Sequence, residues 1–169
     1  LAFQNRPGVQ KMIGDAFEKS AAPPALRMVA LETIEQSDVL PLPPAWQSAL
    51  SSALQDASAD VRLSALRVLA MKPVKSLGDR LQTISDDAKE SVPVRLAAAR
   101  ASIVLSAKLS DSCVDLLCTL LGKDGDALLR LAAAETLGRA KISPDRVARV
   151  LNEVQGNALV SPSVLLPML

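Results

Sequence analysis

Few side chains in this sequence are equipped for chemistry. None of the 169 residues is a histidine, which removes the usual general base and the commonest zinc or iron ligand. Cys113 and Cys118 lie five apart in the apolar stretch CVDLLCTLL. On a helix that spacing is roughly 7–8 Å of rise, which is awkward for a disulfide. Two buried thiols are expected, with a redox or metal pair as the alternative that lacks the remaining ligands. Neither reading fixes a redox compartment. Asp86, Asp87 and Glu90 form a small acidic turn, expected to be solvated. GKDGD, Gly122–Asp126, holds two glycines but has the spacing of neither a phosphate-binding loop nor a complete calcium loop. No catalytic residue, cofactor or metal is expected.

Charge and composition narrow the partners. Nineteen Lys and Arg against eighteen Asp and Glu leave a net charge of +1, so nothing draws the chain to nucleic acid or an anionic membrane. Phe3, Phe17 and Trp46 are the only aromatic residues, too few to stack bases along a groove. A hydrophobic share of 49% beside 22% charged residues is that of a globular chain. The apolar content is mostly Ala, Leu and Val, which favour helices and let them approach closely. The uncharged tail from Val154 to Leu169 is too short to span a membrane and is broken by Pro162 and Pro167. With no Met at Leu1 and an apolar end, SVLLPML, the chain is expected to be a segment of a longer protein, or a processed product. That end is a candidate for self-association.

A repeat must position whatever these residues do. Arg27, Arg62, Arg95 and Arg130 head the phrases RMVALETI, RLSALRVL, RLAAARAS and RLAAAETL, spaced 35, 33 and 35 residues apart. Three residues after each Arg stands an alanine: Ala30, Ala65, Ala98 and Ala133. A recurring helical phrase with a period in the thirties marks a solenoid of helix pairs. An earlier helix precedes each phrase. Val9, Met12, Ile13, Ala16 and Phe17 share one face, as do Trp46, Ala49, Leu50, Ala53 and Leu54. Leu77, Leu81 and Ile84, then Val114, Leu117 and Leu121, then Val147, Val150, Leu151 and Val154 continue the series. Pro7, Pro24, Pro44 and Pro144 suit a first helical turn. Ser110 or Asp111 can cap the helix that follows, and Pro73 stops the one before it. The repeat units are expected near 7–37, 43–72, 74–108, 110–141 and, truncated, 143–169, in one domain over residues 1–169.

These units resemble HEAT repeats, of the short bacterial type also found in phycobilin lyases. The resemblance rests on an Asp in the turn six residues before the second-helix Arg: Asp56 before Arg62 and Asp124 before Arg130. Lys89 before Arg95 and Ala21 before Arg27 depart from it, so those turns are expected to be capped differently. The resemblance implies an all-α fold, a right-handed α-α superhelix of about four to five helix pairs. It implies a structural ladder of Arg27, Arg62, Arg95, Arg130, Asp56 and Asp124, in which the Asp caps a helix start and the Arg reaches a carboxylate.

Stacked second helices would line a concave surface. Its candidate protein-binding residues are Glu32, Arg67, Arg100 and Glu135, five positions after each ladder Arg, with Arg139 beside them. Three functions stay open. The first is a non-catalytic protein–protein interaction scaffold, whose partner is an unidentified protein or neighbouring domains of the same chain. The second is a structural spacer within a larger bacterial exported protein that carries a haem domain elsewhere. The third is an accessory protein of bilin-lyase type. Enzymes of the HEAT group with di-iron centres need the histidines this chain lacks, and the DNA glycosylases need a basic, aromatic groove.

Overall fold

A computed structural model of the protein describes residues 7–18, 22–106, 108–122 and 126–155. Among these residues nine α-helices follow one another: α1 (Pro7–Glu18), α2 (Pro24–Gln36), α3 (Pro44–Ala53), α4 (Ala59–Met71), α5 (Gly78–Asp86), α6 (Val92–Ser106), α7 (Asp111–Leu120), α8 (Ala127–Arg139) and α9 (Pro144–Gln155). No strand occurs among the described residues. Pro7, Pro24, Pro44 and Pro144 are the first residues of α1, α2, α3 and α9, where a missing N–H breaks no intrahelical bond. α4 ends at Met71, two residues before Pro73. Leu77 lies in a 3-10 turn, Lys75–Leu77, that leads into α5, and it is buried all the same.

Local chemistry sets the other helix starts. Ser110 Oγ accepts the Cys113 N–H at 3.1 Å and caps α7. Asp126 Oδ1 accepts from Leu128 and Leu129 N–H at 2.7 and 3.2 Å and caps α8. Asp124, expected in that role, lies outside the described residues, as do Ala21 and the tail from 156 to 169. The bond to Asp126 follows the ordinary preference for an acidic residue immediately before a helix.

The chain divides into two compact units, Leu1–Leu77 and Gly78–Leu169. In the N-terminal unit α1 packs on α3 and α2 on α4, and each first helix also meets its own second helix. Fully buried Leu31, Ile34, Trp46, Leu50, Leu66 and Leu69 fill the space between. In the C-terminal unit α5 pairs with α6 and α7 with α8, while α5, α7 and α9 form one layer and α6 and α8 the other. There the core joins Leu96, Ala99, Leu117, Leu121, Leu137 and Val150. The four alanines after the arginines, Ala30, Ala65, Ala98 and Ala133, are all buried. Small side chains at these positions let neighbouring helices pack closely.

Candidate functional site

The four arginines that set the repeat point inward to the ends of other helices. Arg62 Nη1 donates to the Asp56 and Ala57 carbonyls at 2.6 and 3.2 Å. Arg95 Nε donates to the Ser85 carbonyl at 3.0 Å, and Arg130 Nε to the Gly122 carbonyl at 3.1 Å. Those carbonyls lie in the last turn of α5 or just past the ends of α3 and α7. Helix C-termini leave carbonyls without intrahelical donors and carry partial negative charge. Each of these three guanidinium groups therefore ties the end of a first helix to the second helix of the same repeat.

Arg27 differs. Its Nη1 pairs with the carboxylate of Asp56, 29 residues on, and the Asp56 side chain is 3% exposed. Asp56 also accepts the Ser58 N–H at 2.9 Å, at the start of α4. A single buried carboxylate thus joins the α1–α2 pair to the α3–α4 pair and caps a turn. For Arg62, Arg95 and Arg130 the bonds described above go to main-chain oxygens.

The column expected to bind a partner is divided between the units. In the N-terminal unit Arg67 pairs with Glu35 at 2.9 Å rather than with Glu32. Glu32 holds Gln36 of its own helix at 3.0 Å. Glu35 lies three positions beyond Glu32, almost one turn along α2, which a column drawn from one repeat position does not anticipate. In the C-terminal unit Arg100 and Glu135 approach to 3.6 Å, both well exposed. Arg139 is exposed on α8. The charges of Arg67 and Arg100 are therefore already met within each unit.

What the charge pattern left out is apolar. Beside the Glu35–Arg67 pair stand Met28 and Met71, 39% and 60% exposed. The second helices of the C-terminal unit show Val104 and Leu131, 47% and 44% exposed. Helix spacing foretells this: these residues lie one or nine positions after a ladder Arg, on the same face as the fifth.

Two further features went unread in the sequence or were read otherwise, and a third, the pair of buried thiols, was expected. Lys72, 7% exposed, sends its ammonium to the carbonyl and, at 3.3 Å, the hydroxyl of Ser37. It thereby closes the C-terminus of α2 from the end of α4. Nothing in the sequence separates this lysine from a surface one, because its partner lies 35 residues away. In the acidic turn, Asp86 accepts from the Ser110 hydroxyl and Asp87 accepts the Lys89 N–H at 2.9 Å. These two carboxylates are structural rather than merely solvated. Cys113 and Cys118 are free and buried, and burial pushes the Cys113 thiol up to about 11. Such a thiol is protonated and unreactive near neutrality.

One open cavity of about 350 Å³ lies between α1 and α2. Its walls include Met12, Ile13, Leu26, Val29 and Ala30, with Asp15 and Thr33 as the polar members. Among the described residues no three His, Cys, Asp or Glu side chains gather as a metal site would require. No described helix is long and apolar enough to cross a membrane. No family model, curated protein or solved structure matches this chain.

Proposed function

We propose that the chain is a non-catalytic protein–protein interaction scaffold of HEAT-like repeats, its helix pairs stacked in a right-handed superhelix. The observation that carries this reading is the exposed face of the second helices. There, large apolar side chains flank ion pairs that are already satisfied: Met28 and Met71 around Glu35–Arg67, and Val104 and Leu131 near Arg100–Glu135. A partner with an apolar strip could bury the former without stranding the latter, since a charge that keeps its partner does not bear the cost of being buried alone.

The test replaces the apolar residues. Met71→Asp and Leu131→Asp, alone and together, are compared with the parent by quantitative affinity capture and circular dichroism. Loss of a captured protein from each single variant, taken unit by unit, with helical signal unchanged, is the expected result. Capture that survives the double variant removes the scaffold reading.

A spacer role within a larger helical array is the second reading. It is favoured by the apolar face of α1 and α2, which no described residue covers, since the outermost helix pair of an array ordinarily carries a polar face.

A further inference from the structure

The cavity between α1 and α2 falls at defined positions of the repeat. The first helices match in a register of 37 residues, Pro7 with Pro44, and the second helices in one of 35, Arg27 with Arg62. In those registers Met12 corresponds to Ala49, Leu26 to Val61 and Val29 to Ser64. The second repeat buries all three, at 2%, 0% and 6% exposure, where α3 and α4 pack on α1 and α2. In the first repeat the same three positions are 67%, 50% and 57% exposed and line the cavity. The cavity is thus the first repeat's copy of a surface that the second repeat uses to receive its neighbour.

We propose that this face is a stacking site for one further α-helical hairpin of the chain's own repeat type. The argument is continuity: the face extends, by one repeat, an interface already formed between α1–α2 and α3–α4. Helices at 8–10 Å separation would cover Met12, Leu26 and Val29 together. The chemistry favours a hairpin over other occupants. Among the described residues only Asp15 and Thr33 bring polar side chains to the wall, too few convergent groups to orient a small polar ligand. Nor is the face basic: Arg27 is engaged by Asp56, and Asp15 stands at the wall, an unsuitable pattern for anionic lipid. The inference rests on the repeat reading of the chain. It does not require the second-helix face to bind a partner.

The experiment supplies the hairpin covalently. A chain in which residues 7–43 are repeated ahead of Pro7 puts α1 and α2 in the register that α3 and α4 occupy now. Relative to the parent, it should melt at least about 4 °C higher. It should also slow amide exchange in the original α1 and α2 by tenfold or more. The same repeated chain carrying Leu26→Glu and Val29→Glu in the original α2 should lose both gains. Unextended, the Leu26→Glu, Val29→Glu variant should melt within about 2 °C of the parent, because half-exposed residues can take charge at little cost.

An extended chain that gains nothing, or a gain that survives the two glutamates, overturns the proposal. So does a marked loss of stability in the unextended variant, which would mean that these residues already pack within the unit. Saturable association of the parent with phosphatidylcholine vesicles, abolished by the same glutamates, would assign the face to lipid instead. Dimerisation of the parent, abolished likewise, would assign it to a second copy. The capture experiment on Met71 and Leu131 is independent, so failure of one reading leaves the other distinguishable.

Discussion

The two units use similar helix pairs but hold neighbouring repeats together with different polar chemistry. In the N-terminal unit two of the links are buried, Arg27 to Asp56, whose carboxylate is 3% exposed, and Lys72 to Ser37, both nearly inaccessible, beside the more exposed Arg67–Glu35 pair. In the C-terminal unit the corresponding ion pairs lie at the surface. Arg100 and Glu135 are 49% and 41% exposed, and Arg146 of α9 reaches the exposed Asp111 and the half-exposed Asp115 of α7. The interior there is completed by apolar packing and two thiols instead. Buried pairs are costly to break because the remaining charge stays desolvated, whereas exposed pairs contribute little on balance. The same substitution should therefore have unequal consequences in the two halves.

The largest effect is expected at Arg27. Arg27→Ala leaves Asp56 with its bond to the Ser58 N–H but without the Arg27 guanidinium. Removal of one member of a buried pair costs about 3–5 kcal/mol, with the lower end expected here because the Arg27 side chain is 23% exposed. Urea unfolding followed by circular dichroism measures it. A variant within 1 kcal/mol of the parent, to order of magnitude, would place this link with the surface pairs and erase the contrast. The double change Arg27→Met, Asp56→Asn sharpens it, because removing both charges should recover part of the loss.

An intermediate effect is expected at alkaline pH, and in the C-terminal unit. The Cys113 thiol ionises at about 11 in the folded chain against 9.0 as a model thiol, chiefly because it is buried. Between those values the unfolded chain releases a proton that the folded chain retains. Stability from this group is therefore complete below pH 9 and declines as pH rises toward 11. The full difference is about 2–3 kcal/mol. Amide exchange at pH 8 and 10 should show extra opening around α7 that Cys113→Ala reduces. Equal loss in the Cys113→Ala variant would assign the alkaline effect to other groups.

Much of the fold was legible because helix periodicity and proline placement are local. The i, i+3, i+4 spacing of Trp46, Ala49, Leu50 and Ala53 produced α3, and those four residues are buried. The four prolines marked four helix starts because a missing N–H has few other acceptable positions. The site was less legible because its contacts depend on reach across repeats. Arg67 selected Glu35 over Glu32, and Lys72 found Ser37. Both choices depend on how far α2 and α4 are offset along their axes, a quantity the repeat period does not contain. Exposure was misread for a related reason. Met12 has the spacing of a core residue, but nothing among the described residues stacks beyond it.

The smallest effect is expected at Arg100. Its 3.6 Å approach to Glu135 joins α6 to α8 across 35 residues, the same separation that Lys72 spans to Ser37 in the N-terminal unit. Water reaches both members, so solvent screens the attraction, and ordering two long side chains opposes it. Arg100→Ala should cost less than about 1 kcal/mol, and less again at high salt. Lys72→Ala, by contrast, leaves the buried Ser37 carbonyl without that donor and should cost about 1–3 kcal/mol with little salt dependence. Melting both variants at low and high ionic strength compares them directly. Equal losses, or a larger loss at Arg100, would show that sequence separation rather than burial governs how strongly a link holds neighbouring repeats.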